Sequence, residues 1–401
     1  MISYKKFIDY VLAIVFLISL FVSSRSFNKF FIVDGITPTS FFSFYWVGVF
    51  LFSGLFLMNY APMIYQDFKK YLFLLVVSLF ALVSSFWSAI PLSSFVGALS
   101  LVGCQLLVGN LFLRFKEKTI ISIFLVFFRL SAILSIFVII FVPEIGYFGN
   151  HEGAASGIFS HKNYLGRVCA LYFLVLVSCP LRLMEKVIFI PLTLVLIFLS
   201  TSKGAIFDIV VVIIVYFLLV LSSNFRSGID RVALGALFIV FTLCILISLA
   251  LNVEEVLRFF DKDVTLSGRT SIWAEGIDFI SHKPLLGYGY AAFWDSPDTL
   301  SLFRYSFDWD VPHLHNGYLD SILDVGLLGF GLLILLLGYS VNSAIWTYYL
   351  DKKNSFWLIV SLYLVFSNFL EKNILVHNDF HWIMFSSLVY ISVFRKKAYE
   401  Q

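Results

Sequence analysis

Two histidines, His313 and His315, stand one residue apart where a polar stretch of the chain changes into an apolar one. Histidine is the side chain best suited to proton transfer near neutral pH, so the pair indicates acid–base chemistry. A His-x-His pair also occurs in metal sites, but no third ligand stands at a suggestive spacing, although Asp310 is near. The sequence therefore requires no metal here, and proton transfer is the chemistry that it favours.

Two isolated basic residues offer a different chemistry, the binding of an anion. Lys203, in LSTSKGAIFD, is either a cation suited to an anionic headgroup such as a pyrophosphate or only part of a tight turn. Arg269, in LSGRTSIW, is either a bidentate phosphate ligand, which a lysine cannot be, or a solvated loop arginine. On these residues alone both alternatives stay open.

A third polar stretch, GNHEGAASGIFSHKNYLGR, covers residues 149–167. Its ionisable side chains are His151, Glu152, His161, Lys162 and Arg167. An ordinary glycine-rich connection with basic residues reaching toward water is the simpler interpretation, and substrate contact is the alternative.

The composition of the chain indicates what kind of structure positions these residues. Its 401 residues are 60% hydrophobic and only 13% charged, with a mean hydropathy of +0.93. A soluble domain typically has about half apolar and about a quarter charged residues. The chain is therefore predicted to be an integral membrane protein, and its small net charge of +3 gives no indication of a nucleic-acid partner.

Apolar runs long enough to cross a bilayer recur along the chain, since a helical span needs about 17–25 residues. We predict twelve spans, at residues 7–24, 41–59, 71–88, 95–113, 119–142, 163–180, 187–202, 204–223, 232–251, 316–346, 355–371 and 376–394. The sequence has no internal repeat, so we expect one polytopic domain over residues 1–401.

Lysines and arginines fall in alternate connections between these spans, which is the pattern of cytoplasmic segments. Both termini are therefore expected in the cytoplasm, and the large loop at 252–312, between spans 9 and 10, in the periplasm or outside the cell. Within that loop, TSIWAEGIDFISHKP has apolar residues at helical spacing and ends at Pro284. It predicts a short amphipathic helix on the outer membrane surface.

On this topology the candidate residues converge, because four separate outer segments supply them: Lys162, Lys203, Arg269 and His315. Their presence on one membrane face is a stronger indication of a site than any one of them alone.

Several motifs follow one another in the order of a known family. The stretch HNGYLDSILDVGLLG contains the pattern His-Asn, then Gly after nine intervening residues, then Gly after two more. The residues at these positions are His315, Asn316, Gly326 and Gly329. GIFSHKNYLG, STSKGA, LSGRTSIW and KPLLGYGYAAFW precede it, and Glu371, Asn378 and Trp382 follow it. Together these stretches resemble the O-antigen ligase and polymerase superfamily, most of all its exopolysaccharide-polymerase branch of ExoQ-type proteins. The resemblance runs from about residue 145 to the C-terminus.

The resemblance implies an all-helical, GT-C-like membrane fold and an inverting, metal-independent glycosyltransferase without a cofactor. The donor would be a glycan on undecaprenyl pyrophosphate, used at the periplasmic face of a bacterial inner membrane, and the acceptor another lipid-linked glycan. Lys203 stands where ligases of the superfamily carry an arginine. That departure favours a polymerase, and an O-antigen ligase that transfers the glycan to lipid A–core is the alternative.

The resemblance also implies residue roles. His315 would be the general base, because the family pattern starts there, while Lys203 and Arg269 would hold the departing pyrophosphate. Further candidates for substrate contacts are His313, Asn316, His161, Lys162 and Arg167.

A twelve-span flippase or transporter is the alternative from another class of protein. Arg129 and Asp208 fall within predicted spans, where charged residues often mark a pathway, although each could form a structural pair. Transporters tend to show internal repeats, which this sequence lacks. A polar outer loop beside a histidine pair fits surface chemistry better.

Overall fold

A computed structural model describes residues 4–31, 39–147, 153–223, 269–307 and 311–394. These residues form sixteen α-helices and, apart from two isolated β-bridges, no strand pairing. The helices are α1 Tyr4–Ser23, α2 Thr39–Met58, α3 Ala61–Gln66, α4 Phe68–Val83, α5 Pro91–Arg114, α6 Glu117–Phe141, α7 Pro143–Gly146, α8 Lys162–Ser178, α9 Leu183–Ser200, α10 Lys203–Ser222, α11 Arg269–His282, α12 Ala292–Asp295, α13 Pro297–Phe307, α14 Gly317–Leu350, α15 Phe356–Ser367 and α16 Phe380–Phe394.

In the described part of the chain, seven helical stretches are long and apolar enough to cross a membrane, and they lie in α1, α4, α5, α6, α9, α10 and α14. The chain is thus a multi-pass, helical membrane protein. Every predicted span except one overlaps a helix. The exception, 232–251, and the first part of the large loop lie outside the described residues, so the number of twelve spans stays a prediction.

The core is built around α15 and α16, which are buried along nearly their whole length. Trp357, Tyr363 and Trp382 are among the largest fully buried side chains. At the periphery, α2 and α10 expose large apolar residues such as Phe44 and Phe217, as helices facing lipid do. Arg129, on α6, forms an ion pair with Glu185, with a guanidinium nitrogen 2.7 Å from the carboxylate, so it has a structural partner.

The loop between α15 and α16 differs from the sequence prediction, which placed span ends at residues 371 and 376. The helices stop at Ser367 and resume at Phe380. Asn368 organises the loop, because its Oδ1 accepts hydrogen bonds from the backbone N–H groups of Asn373 (3.1 Å) and Ile374 (2.9 Å). Its carbonyl accepts from the N–H of Gly317 at 2.8 Å, which places the loop beside the start of α14.

α14 is kinked at Gly326, whereas the sequence predicted an unbroken span over residues 316–346. Gly326 has φ +66° and ψ −179°, outside the helical region. The N–H groups of Leu327 and Leu328 bond instead to the carbonyls of Pro284 (2.8 Å) and Leu285 (3.2 Å). A Cβ on Gly326 would lie 2.2 Å from the carbonyl oxygen of Leu285, so only glycine fits this close approach.

Gly326→Ala is therefore expected to destabilise the protein. A left-handed conformation costs a residue with a Cβ about 1–3 kcal/mol, and the backbone at Leu285 must also move. Thermal unfolding in detergent measures the effect as a lower Tm. Gly331→Ala, in the same helix, is the control, because no heavy atom lies within 4 Å of the Cβ that it adds. An equal Tm for Gly326→Ala and the parent protein would contradict this account of the kink.

A second, smaller hydrophobic cluster packs over the start of α14. It contains Ile272 of α11, Trp294 of α12, Phe303 of α13 and Leu314. The indole N–H of Trp273 donates to the carbonyl of Leu314 at 2.8 Å. The cluster thus fixes the segment between the two histidines against three helices. The placement of α11 on a membrane surface stays a prediction.

Candidate active site

The segment His313–Asn316 folds as a tight turn that ends in a helix cap. The imidazole Nδ1 of His313 accepts a hydrogen bond from the backbone N–H of His315 at 3.0 Å, and His315 has φ +53°. Asn316 then caps α14, because its Oδ1 accepts from the N–H groups of Tyr318 and Leu319 at 3.1 and 3.2 Å. The two imidazoles lie with ring centroids 4.2 Å apart.

Glu371, from the loop after α15, joins four separate parts of the chain. Its Oε2 lies 3.4 Å from His315 Nδ1 and 3.9 Å from His313 Nε2. Its Oε1 lies 3.6 Å from a guanidinium nitrogen of Arg269 and accepts from the amide of Asn163 at 3.3 Å. This one carboxylate therefore fixes the candidate base and a candidate phosphate ligand together.

The charge states within this cluster follow from burial and neighbouring charges. Burial disfavours the ionised form of Glu371, but the hydrogen bond from His315 and the charge of Arg167 outweigh it and hold the pKa of Glu371 below its usual value. Burial and the neighbouring His315 lower the pKa of His313 to about 3. At neutral pH Glu371 is thus ionised and His313 uncharged.

The hydrogen bond to Glu371 also selects the tautomer of His315. An ionised carboxylate can only accept a hydrogen bond, so Nδ1 of His315 carries the proton in this contact. In the neutral imidazole with this tautomer, the other ring nitrogen, Nε2, carries the lone pair. A histidine oriented by a carboxylate in this way can take a proton from a hydroxyl group.

Two cavities meet at this cluster. One, which we call the aromatic cavity, has a volume of about 460 Å³ and is lined by Tyr290, Trp294, Asp295, Lys372 and His377, among others. The other, the basic cavity, has a volume of about 430 Å³ and is lined by Lys162, Lys203, Asp208 and Arg269, among others. Both include the same five residues, namely His161, Asn163, Arg167, His315 and Glu371. The candidate base therefore stands in the wall between a basic and an aromatic space.

The basic cavity is arranged to hold an anion. Lys203 is the first residue of α10, and Ser202 caps that helix by accepting from the N–H of Ala205 at 3.4 Å. Lys162 is the first residue of α8, where the imidazole Nδ1 of His161 accepts from the N–H of Asn163 at 3.1 Å. Helix N-termini carry a partial positive charge that favours phosphate groups. Two such termini thus reinforce the side-chain cations.

The structure brings together seven of the eight candidates from the sequence. Lys162, Lys203 and Arg269 line the basic cavity, His313 lines the aromatic cavity, and His161, Arg167 and His315 line both. Asn316 lies outside both walls, with its side-chain oxygen used in the helix cap. Capping occupies the side-chain oxygen of Asn316, and its contact with substrate stays a prediction.

Arg167 is more deeply placed than the sequence indicated. It is only 7% exposed and lies over the ring of Tyr164, 4.5 Å from the centroid. Its Nε donates to the carbonyl of Asn163 at 3.2 Å, and another guanidinium nitrogen donates to Asn373. These contacts fix Arg167 as part of the wall and leave it as a fixed positive charge beside both cavities.

Sequence reasoning gave no role to Glu371, although the residue stood among those that carry the resemblance. The signal was a charged pair, Glu371 and Lys372, directly after a long apolar run. Lys372 forms an ion pair with Asp324 of α14 at 2.7 Å, where Asp324 is fully buried. Charges at such depth are costly unless they are paired or functional.

Glu371 also supplies the third potential metal ligand that the sequence did not reveal. Ligand atoms of His313, His315 and Glu371 all lie within 4.8 Å of one another. Two imidazoles and a carboxylate are a donor set that suits zinc. The same carboxylate is shared with Arg269, however, and Arg167 adds a fixed positive charge, so a cation would be repelled by both.

Comparisons with known proteins show what the chain is similar to. Residues 188–334 match the family described as O-antigen ligase. Over this segment the chain is similar to that family. The matched segment contains Lys203, Arg269 and the His313–Asn316 turn, while Glu371 lies beyond it.

The chain is also similar to "Exopolysaccharide production protein ExoQ" of Rhizobium meliloti (strain 1021). The two are 26% identical over 318 residues, which is 73% of this chain and 70% of the relative. The resemblance to the O-antigen ligase and polymerase superfamily, and to its ExoQ-like branch, is thereby confirmed. An enzyme of polysaccharide biosynthesis acting on lipid-linked glycans in a membrane is the function class that this family supports.

Proposed function

We propose that the protein polymerises lipid-linked polysaccharide repeat units as an inverting, metal-independent glycosyltransferase with a GT-C-like fold. The donor is a glycan on undecaprenyl pyrophosphate, used at the periplasmic face of a bacterial inner membrane in which both termini are cytoplasmic. The observation that carries this proposal is the position of His315, held by Glu371 in the wall between a basic and an aromatic cavity.

The donor pyrophosphate occupies the basic cavity. Lys203 and Arg269, from α10 and α11, contact it and stabilise the charge that it gains as the glycosidic bond breaks. Arginine can contribute two parallel hydrogen bonds, and lysine a point charge. Lys162 and His161, at the start of α8, contact the same anion or the first sugar.

The acceptor glycan occupies the aromatic cavity, whose wall includes edges of Tyr290 and Trp294 and where His313 offers a polar contact. Its hydroxyl oxygen attacks the anomeric carbon as His315 takes the hydroxyl proton. The new carbon–oxygen bond forms while the bond to the pyrophosphate breaks, and undecaprenyl pyrophosphate leaves. Attack from the face opposite the leaving group inverts the anomeric configuration, and the position of His315 between the cavities suits this geometry.

An O-antigen ligase is the alternative enzyme. It uses the same donor and base but transfers the glycan to lipid A–core. A flippase or transporter has less support, because Arg129 is ion-paired with Glu185 and Asp208 lines the basic cavity close to the proposed donor site.

The reaction product distinguishes these possibilities. Purified protein in detergent is mixed with undecaprenyl-pyrophosphate-linked repeat units, and the lipid-linked products are separated by size. We expect a ladder of longer glycans. Transfer to added lipid A–core, with no ladder, would instead support the ligase. If neither product forms from competent substrates, the enzyme proposal fails, and translocation becomes the function to assay.

Chelators are expected to leave polymerisation unchanged, since protein cations and not a metal ion stabilise the leaving group in this proposal. The rate of ladder formation before and after incubation with EDTA checks this expectation. Loss of activity in EDTA that a divalent ion restores would refute the metal-independent mechanism and point to the His313, His315 and Glu371 ligand atoms.

A further inference from the structure

Arg25, the second residue after α1, is a cation in the wall of the aromatic cavity that no motif predicted. It lies far outside the segment matched to the O-antigen ligase family, residues 188–334. Unlike the buried Arg167, its side chain is exposed.

The backbone fixes Arg25 against the segment that leads into α8. Its φ is +55°, a left-handed conformation that turns the chain after α1. The carbonyl of Arg25 accepts from the N–H of Ser160 at 3.2 Å, and the N–H of Phe27 donates to the carbonyl of Ile158 at 2.7 Å. Arg25 is thereby tied to the strip that carries His161 into the wall of both cavities.

The guanidinium of Arg25 lies over the ring of Tyr164, 5.4 Å from its centroid. The Asp379 carboxylate acts on it electrostatically, but within the described part of the chain no side chain or carbonyl accepts a hydrogen bond from this guanidinium. The other strong cations of the cavity wall donate elsewhere, Arg167 to Asn373 and Lys372 to Asp324. Arg25 thus offers hydrogen-bond donors that the described residues do not use.

The acidic groups in the same wall have other partners, and Glu371 contacts His315 and Arg269. Asp324 is paired with Lys372 at 2.7 Å, and Asp295 accepts from the hydroxyl of Ser93 at 2.6 Å. An exposed guanidinium stacked on an aromatic ring is pre-oriented, and its planar fork matches a carboxylate or a phosphate with two parallel hydrogen bonds.

We propose that Arg25 binds an anionic substituent, a carboxylate or a phosphate, on the acceptor glycan. This inference rests on the proposed assignment of the aromatic cavity to the acceptor. It makes Arg25 a residue that selects acidic over neutral repeat units, while His315 performs the same chemistry on either.

The test measures equilibrium binding without turnover. Three short oligosaccharides without a lipid, ending in glucose, glucuronate or glucose 6-phosphate, are titrated into the purified full-length protein by calorimetry in the absence of donor. A hydrogen-bonded contact to a charged group is worth about 1.5–3 kcal/mol, which corresponds to an affinity difference of about 10- to 100-fold. We expect at least one anionic oligosaccharide to bind tighter than the neutral one by that factor.

Variants assign the preference to Arg25. Arg25→Gln is expected to bring the Kd of the anionic ligand to that of the neutral one, and Arg25→Lys to retain part of the preference. Lys283→Gln is the matched control, because Lys283 is also a cation stacked on a tyrosine, 4.7 Å from the ring centroid of Tyr288, but is not in the cavity wall. It is expected to keep the full preference.

Preference for glucuronate alone or for the phosphate alone supports the inference and identifies the anion. Equal Kd values for all three ligands, no binding of any of them, or a preference that survives Arg25→Gln would overturn it. The ladder assay is independent of this result. A ladder without an anion preference overturns the role of Arg25 and leaves the polymerase proposal standing. Binding with an anion preference but without a ladder overturns the polymerase proposal and leaves the anion-binding role of Arg25 standing.

Discussion

His315→Ala is expected to lower the rate of ladder formation by about 10²–10⁴-fold, the usual contribution of general base catalysis. The variant keeps Lys203 and Arg269 of the basic cavity, so donor binding is expected to be retained while the acceptor hydroxyl loses the group that takes its proton. Initial rates at saturating donor, with and without added imidazole, measure the effect. Partial rescue by imidazole is expected, because a small base can enter the space left by the side chain.

His313→Ala is the matched control for that experiment, since it removes an imidazole one residue away. Its pKa of about 3 makes His313 a weak base, and its Nδ1 is already used by the backbone of His315. We expect a smaller loss, caused by a less rigid turn. A larger loss for His313→Ala than for His315→Ala would show that the roles are reversed.

Glu371→Gln is expected to lower kcat by at least about 10²-fold with a smaller change in KM. A comparable carboxylate-to-amide change beside a catalytic histidine, in the serine protease triad, costs about 10⁴ in kcat through the wrong tautomer. Here the same change also removes the negative charge that lies 3.6 Å from Arg269. The split between kcat and KM, from initial rates over a range of acceptor concentrations, is the measurement.

Glu185→Gln provides the control for this variant, because Glu185 is also an ion-paired glutamate, bonded to Arg129 away from both cavities. It should change stability more than kcat. If Glu371→Gln retains the kcat of the parent protein, Glu371 does not orient the base, and its contacts are structural only.

Much of the helical arrangement was predictable because a bilayer demands apolar runs of a fixed length. The tight turn at Thr201–Ser202, with Lys203 opening the next helix, follows directly from a polar interruption between two apolar runs. The kink at Gly326 was not predictable from hydropathy, since it depends on the backbone of residues 284–285 approaching from a distant segment. The spacing of apolar residues along α14 does not indicate that contact.

The site was predictable in its residue types but not in its connections. His315, Arg269 and Lys203 could be chosen because histidine, arginine and lysine are uncommon in such an apolar chain. Glu371 was left without a role because hydropathy placed it at the end of a predicted span, whereas Asn368 ends the helix earlier and folds the loop back. Arg25 had no motif around it, and only the pairing of its backbone with Ser160 brings it into the cavity wall.

The most direct test of the central claim is an experimental structure of the protein in a lipid nanodisc with undecaprenyl pyrophosphate bound. The account predicts pyrophosphate density in the basic cavity, between Lys203 and Arg269, with the free nitrogen of His315 directed toward the aromatic cavity. Pyrophosphate density in the aromatic cavity, with the basic cavity unused, would contradict the assignment of donor and acceptor and the direction of attack derived from it.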